Sequence, residues 1–71
     1  MSIKVECVSV EPGVYDIKVG ETYRALYNDD YGYFEIDDDG FIYRLDEVKI
    51  NGKDGFSAKS FSGKVCKFIT H

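Results

Sequence analysis

Tyr33-Phe34-Glu35-Ile36-Asp37-Asp38-Asp39-Gly40-Phe41-Ile42-Tyr43-Arg44-Leu45 reads as one β-hairpin. Phe34 and Ile36 alternate with Tyr33 and Glu35, the period of two that a strand with one buried face requires. Asp38-Asp39-Gly40 then breaks the alternation with residues that accept the positive φ of a tight turn. The pattern predicts a strand over Tyr33–Asp37 and its antiparallel partner over Phe41–Leu45.

Outward from this hairpin the same logic repeats. On its N-terminal side, Asn28-Asp29-Asp30-Tyr31-Gly32 has the composition of a turn. Before it, Gly20 opens a strand over Thr22–Tyr27, with Tyr23, Ala25 and Tyr27 on one face. Val14–Val19 is either a short extended piece or a loop. Pro12-Gly13 ends the first strand, Ile3–Val10, since proline lacks the ladder N–H. Within that strand the apolar face changes from Ile3, Val5 and Cys7 to Val8 and Val10, which predicts a bulge or twist near Cys7. On the C-terminal side, Asp46–Ile50 either continues the fourth strand or makes one helical turn. Asn51-Gly52 and Asp54-Gly55 are turn dipeptides, and Phe56–Phe61 and Lys64–Ile69 are each long enough for one strand.

No segment keeps helical apolar spacing over ten residues. The expected fold is therefore all-β: a single domain over residues 1–71, a small antiparallel barrel of five to six short strands. Its expected core is Ile3, Val5, Cys7, Tyr23, Ala25, Phe34, Ile36, Phe41, Leu45 and Phe61. A chain of 71 residues hides only about 60% of its unfolded surface, so a core this thin needs large side chains. Six tyrosines and five phenylalanines supply them.

The N-terminal sequence Met1-Ser2-Ile3-Lys4 lacks the apolar run of a signal peptide, and no stretch is long and apolar enough for a membrane span. A cytoplasmic protein with no membrane partner is expected, its two cysteines, Cys7 and Cys66, reduced. The net charge of −4 hides a polarity: residues 1–48 carry twelve acids against four bases, and residues 49–71 carry five lysines against Asp54 alone. Such asymmetry either steers a partner or lets the tail pair with the body.

Three stretches carry a family likeness. Lys4-Val5-Glu6-Cys7, Val19-Gly20-Glu21-Thr22-Tyr23 and Asp37-Asp38-Asp39-Gly40 resemble a pattern in small phage-encoded SH3-like barrel proteins. There a first strand ends near a cysteine, a V-G-x-x-Y element opens the second strand, and an acidic D-D-x-G hairpin joins the next two. The likeness spans roughly residues 3–45 and does not extend past Ile50. It implies an SH3-like barrel and a phage or prophage accessory gene; it implies no catalytic residues.

The residues themselves point away from catalysis. His71, the only histidine, is the last residue, so neither cysteine has a positioned internal base. Cys7, Cys66 and His71 fall one ligand short of a closed zinc site, and the aspartates lack the spacing of a calcium loop. No enzyme activity, metal or cofactor is expected. What remains is surface. Asp29 and Asp30 precede the third strand, Asp37, Asp38 and Asp39 follow it, and Glu35 lies between. Tyr31 and Tyr33 cannot both turn inward if Phe34 and Ile36 do. These eight residues form the candidate partner-binding surface, an acidic stripe bearing an aromatic anchor, with a host protein as expected partner. An acidic stripe of this kind can also imitate spaced phosphates. One alternative is a nucleic-acid-binding barrel, in which Lys53, Phe56, Lys59, Phe61, Lys64, Lys67 and Phe68 interleave cations with rings. Another is a homodimeric module pairing through an exposed edge strand.

Overall fold

The computed structural model describes residues 1–38 and 40–71. They form six antiparallel strands: β1 (Ser2–Val10), β2 (Thr22–Asn28), β3 (Tyr33–Asp38), β4 (Phe41–Ile50), β5 (Lys53–Lys59) and β6 (Val65–Thr70). Each strand pairs with its neighbours in sequence, and β6 returns to β1, so the sheet closes into a barrel. The described residues contain no helix. The architecture is the expected one, a small all-β barrel consistent with the SH3-like class. Closure matters physically, because it hides most of the backbone groups that an open sheet would leave at its edges.

The central hairpin forms as the sequence predicts, with Asp38 paired to Phe41 and Gly40 at φ 86°. Asp46–Ile50 takes the strand alternative, extending β4 well past its pairing with β3. Asn51 and Gly52 turn the chain back with φ of 51° and 80°, the two positive values of a primed two-residue hairpin. Near Cys7 the β1–β6 register shifts between Cys7 and Ser9, which is the bulge predicted from the change of apolar face.

Asp54-Gly55 is not a turn. Both residues lie inside β5, and Gly55 is there for close approach. A Cβ at that position would stand 2.6 Å from Ile50 Cδ1 and 2.8 Å from the Phe68 carbonyl oxygen. The absent side chain lets the β4–β5 hairpin press against β6. Val14–Val19 is a loop, yet it delivers Ile17 into the core.

That core comprises Val5, Cys7, Ile17, Ala25, Ile36, Tyr43, Leu45, Ala58, Cys66 and Phe68, with Ile3, Val10, Val14, Tyr23, Phe34 and Phe56 packed around it. Two expected members stand outside. Phe61 is 76% exposed and Phe41 48%, their rings meeting edge to face at 5.1 Å. Phe61 belongs to the β5–β6 connection rather than to a strand, so no strand alternation turns it inward. Phe41 opens β4 at the rim of the barrel, where Ile17 and Tyr43 already close the interior. Both thiols are buried and free. Burial pushes Cys7 above its ordinary pKa, and Cys66 up to about 11, with further contributions from Cys7 and nearby acids.

One end of the barrel is tied by a carboxylate. A single oxygen of Asp16, Oδ2, accepts from the Tyr43 hydroxyl at 2.7 Å and from the Phe61 amide at 2.9 Å. Burial raises the Asp16 pKa, but these hydrogen bonds outweigh it, and the carboxyl sits below its ordinary value. Three segments far apart in the chain thus meet on one side chain.

Candidate functional site

Side chains alternate along β3, and the alternation divides the expected acidic cluster. Tyr33, Glu35 and Asp37 share the outer face with the period of two, while Phe34, Ile36 and Asp38 share the inner one. Asp38 is consequently half-buried at the barrel rim, near enough to Tyr23 and Tyr43 to help raise both phenols after burial, the largest cause. Asp39 lies outside the described residues. Asp29 and Asp30 are exposed in the β2–β3 turn, at the opposite end of β3 from Asp37. The two acidic turns stand at opposite ends of β3, as their positions in the sequence predict, and among the described residues Asp38 departs from the outer face that Glu35 and Asp37 share.

The aromatic part of the expected surface is better ordered than the acidic part. Asn28 Oδ1 accepts from the Asp30 and Tyr31 amides at 3.0 and 3.2 Å, and the Gly32 amide donates to the Asn28 carbonyl at 2.7 Å. Side chain and backbone of Asn28 therefore shape the turn that presents Tyr31. Gly32, at φ 78°, completes it in a conformation that a side chain would strain. Tyr31, 75% exposed, stacks on Tyr33 with centroids 5.8 Å apart and planes within 15°. Arg44 from β4 sits 4.7 Å from the centre of the Tyr33 ring and donates from Nε to Asp46 at 3.0 Å.

Register brings more residues to this face. Leu26 on β2 and Arg44 on β4 both stand opposite Glu35, and Ile42 stands opposite Asp37. Leu26 is 43% exposed and Ile42 64%. The outer surface of β2–β3–β4 is thus a mixed patch: tyrosines, two exposed aliphatic side chains, and carboxylates set beside arginine. Arg44, Leu26 and Ile42 were missed in the sequence reading, although the alternation within Thr22–Tyr27 and Phe41–Leu45 already assigned them to outer faces. Among the described residues of this face, Glu35 is flanked by Leu26 and Arg44 across the sheet rather than by further carboxylates.

The lysine-rich tail separates in the same way. Phe68 is buried in the core and Phe56 packs half-buried against Phe34, whereas Lys59 and Lys67 are exposed on the opposite face of β5 and β6. Of the three rings in the tail, Phe61 alone is exposed, Phe56 being half-buried and Phe68 buried. Among the described residues, no group of three or more His, Cys, Asp or Glu side chains could hold a metal ion.

Compared with protein-family models, with curated proteins and with solved structures, the chain matches none.

Proposed function

We propose that this domain is a non-catalytic accessory module that docks on a protein through the outer face of β2–β3–β4 and modulates that protein, inhibition being the simplest consequence of occupying its surface. The observation that carries the reading is the Tyr31–Tyr33–Arg44 stack, which holds its rings in place before any partner arrives. Tyrosine and arginine are the side chains on which interfaces most often concentrate their binding energy, and anchors already ordered lose little entropy on association. Leu26 and Ile42 supply apolar contact beside them, and Glu35, Asp37 and Arg44 supply charges for register. The likeness to small phage-encoded barrels adds an origin to this reading, with a protein of the host cytoplasm as the partner.

The test is comparative capture from host lysate, using the wild type, Tyr31→Ala with Ile42→Glu, and Asp37→Lys. Docking through this face predicts that the first pair of substitutions removes a captured protein while circular dichroism stays unchanged. The aspartate reversal should slow its association more than it weakens the final complex. Retention of every captured protein by the Tyr31→Ala, Ile42→Glu variant would exclude this face. Self-association of the wild type, or capture of oligonucleotide alone, would favour the dimeric or nucleic-acid alternatives.

A further inference from the structure

At the end of the barrel opposite the Asp16 tie, β3 and β4 part company. Their last pair is Phe34 with Leu45, after which β4 runs on to Ile50 with β5 alone beside it. The notch left there opens into a pocket of about 300 Å³. The rings of Tyr27, Tyr33, Phe34 and Phe56 line it, together with Arg44 and Glu47. Tyr27 meets Phe34 at 5.1 Å and Phe34 meets Phe56 at 6.0 Å, both edge to face, so each ring is braced by the next.

The charges around these rings are not balanced. Arg44 is committed to Asp46 and to the Tyr33 ring. Glu47 is exposed at the rim, and among the described residues no cation lies within ion-pairing distance of it. The pocket therefore offers several π systems and one uncompensated carboxylate. Aromatic faces are electrostatically negative, and they attract cations most strongly when the cation is weakly hydrated. A primary ammonium holds its water tightly, whereas alkyl groups on nitrogen spread the charge over an apolar surface. A neutral apolar group would leave Glu47 unused, and an anion would oppose it.

We propose that this pocket binds an alkylated ammonium group, tertiary or quaternary, with the rings of Tyr27, Phe34 and Phe56 surrounding the alkyl shell and Glu47 compensating the charge. The same chemistry occurs on a free quaternary amine and on a methylated lysine side chain of a protein. The pocket borders the docking face and shares Tyr33 and Arg44 with it, but a free ligand tests the pocket without any partner, so its failure and that of docking are distinguishable.

The experiment is a ¹H–¹⁵N NMR titration of the full chain with tetramethylammonium chloride, with tert-butanol as a neutral group of similar shape and sodium chloride as the salt control. The expected result is a saturable shift of amides around Tyr27, Phe34, Glu47 and Phe56, with affinity at least about tenfold above that for tert-butanol. Tyr27→Leu and Glu47→Gln, both at exposed positions, should each weaken binding several-fold and leave distant resonances in place. A short peptide carrying trimethyllysine, compared with the same peptide carrying lysine, separates the two sources. Tighter binding by the methylated peptide than by tetramethylammonium assigns the pocket to a protein ligand, and the converse assigns it to a free amine. Tert-butanol binding as tightly as tetramethylammonium, shifts that never saturate, or unchanged affinity in both variants would each overturn the proposal.

Discussion

Asp16 and Tyr43 lie 27 positions apart, and the Tyr43 hydroxyl donates to Asp16 Oδ2 at 2.7 Å. The bond joins the long β1–β2 connection to the start of β4, and because the same oxygen accepts from the Phe61 amide, it also ties the β5–β6 connection. Asp16→Ala leaves the buried Tyr43 hydroxyl and the Phe61 amide without their acceptor, and should cost about 1–3 kcal/mol in urea unfolding. Tyr43→Phe removes one donor and keeps the ring, so about 1 kcal/mol is expected. The double variant should cost less than the sum of the two, since both remove the same hydrogen bond.

A pH dependence follows from the same residue. The Asp16 carboxyl is lowered in the folded chain from an ordinary value of 3.8. A depressed folded-state value means that the carboxylate stabilises the fold above the unfolded-state pKa, and that this contribution fades as pH falls through the folded-state value. Urea midpoints measured between pH 7 and pH 2 should therefore drop in the wild type below about pH 4. Asp16→Asn should show a shallower drop over that window. Parallel curves would show that Asp16 does not carry the acid sensitivity.

Phe68 and Phe61 offer a direct comparison of two rings in one segment. Phe68→Ala removes a fully buried ring facing Tyr23 edge to face, and should cost about 3–5 kcal/mol, enough to unfold much of a domain this small. Phe61→Ala should change stability by no more than about 0.5 kcal/mol, as at other exposed positions. Equal melting temperatures for the two variants would contradict the barrel interior described above.

Gly55 and Gly52 separate steric from conformational demand. Gly52→Ala meets no atom but must hold φ 80°, a strain of about 1 kcal/mol. Gly55→Ala drives a methyl onto the Phe68 carbonyl, a backbone atom that cannot rotate away, and should cost more, about 1–3 kcal/mol. Ile50→Ala relieves only the flexible half of the clash, so it should cost less in the Gly55→Ala background than in the wild type. Thermal melts of the single variants and the double variant give the order and the coupling.

The thiols should be inert until the barrel opens. Cys7 and Cys66 are both buried, and a thiol whose pKa is about 11 carries little thiolate near neutral pH. Iodoacetamide at pH 8 should label neither in the folded protein and both in urea, read by mass spectrometry. A mass two daltons short, without labelling in urea, would instead reveal a bond between β1 and β6.

The alternation in Tyr33–Leu45, the Asp38-Asp39-Gly40 turn and the change of apolar face near Cys7 were sufficient to read the central hairpin, the bulge and the all-β class directly. These are local properties: a period of two, a glycine able to take positive φ and a proline without an N–H act through the nearest residues along the chain. The same counting required that at least one of Tyr31 and Tyr33 face outward. A barrel was expected from the number and shortness of the strands, whereas the pairs that close it, Val5 to Val10 of β1 against Cys66 to Thr70 of β6, depend on the summed twist and coil of six strands. The burial of Ile17 was not legible, since it sits in a connection without periodicity and is held at the core by contacts distant in sequence, Asp16 with Tyr43 and Gly20 with Cys7. Gly55 looked like a turn residue since glycine serves turns and close contacts alike, and only the position of Ile50 and Phe68 distinguishes the two uses. The surface followed the same division. Sequence alone could name Tyr33, Glu35 and Asp37 as neighbours on one face of one strand, but the residues beside them, Leu26, Arg44 and Ile42, come from other strands, and cross-strand register is a property of the folded sheet.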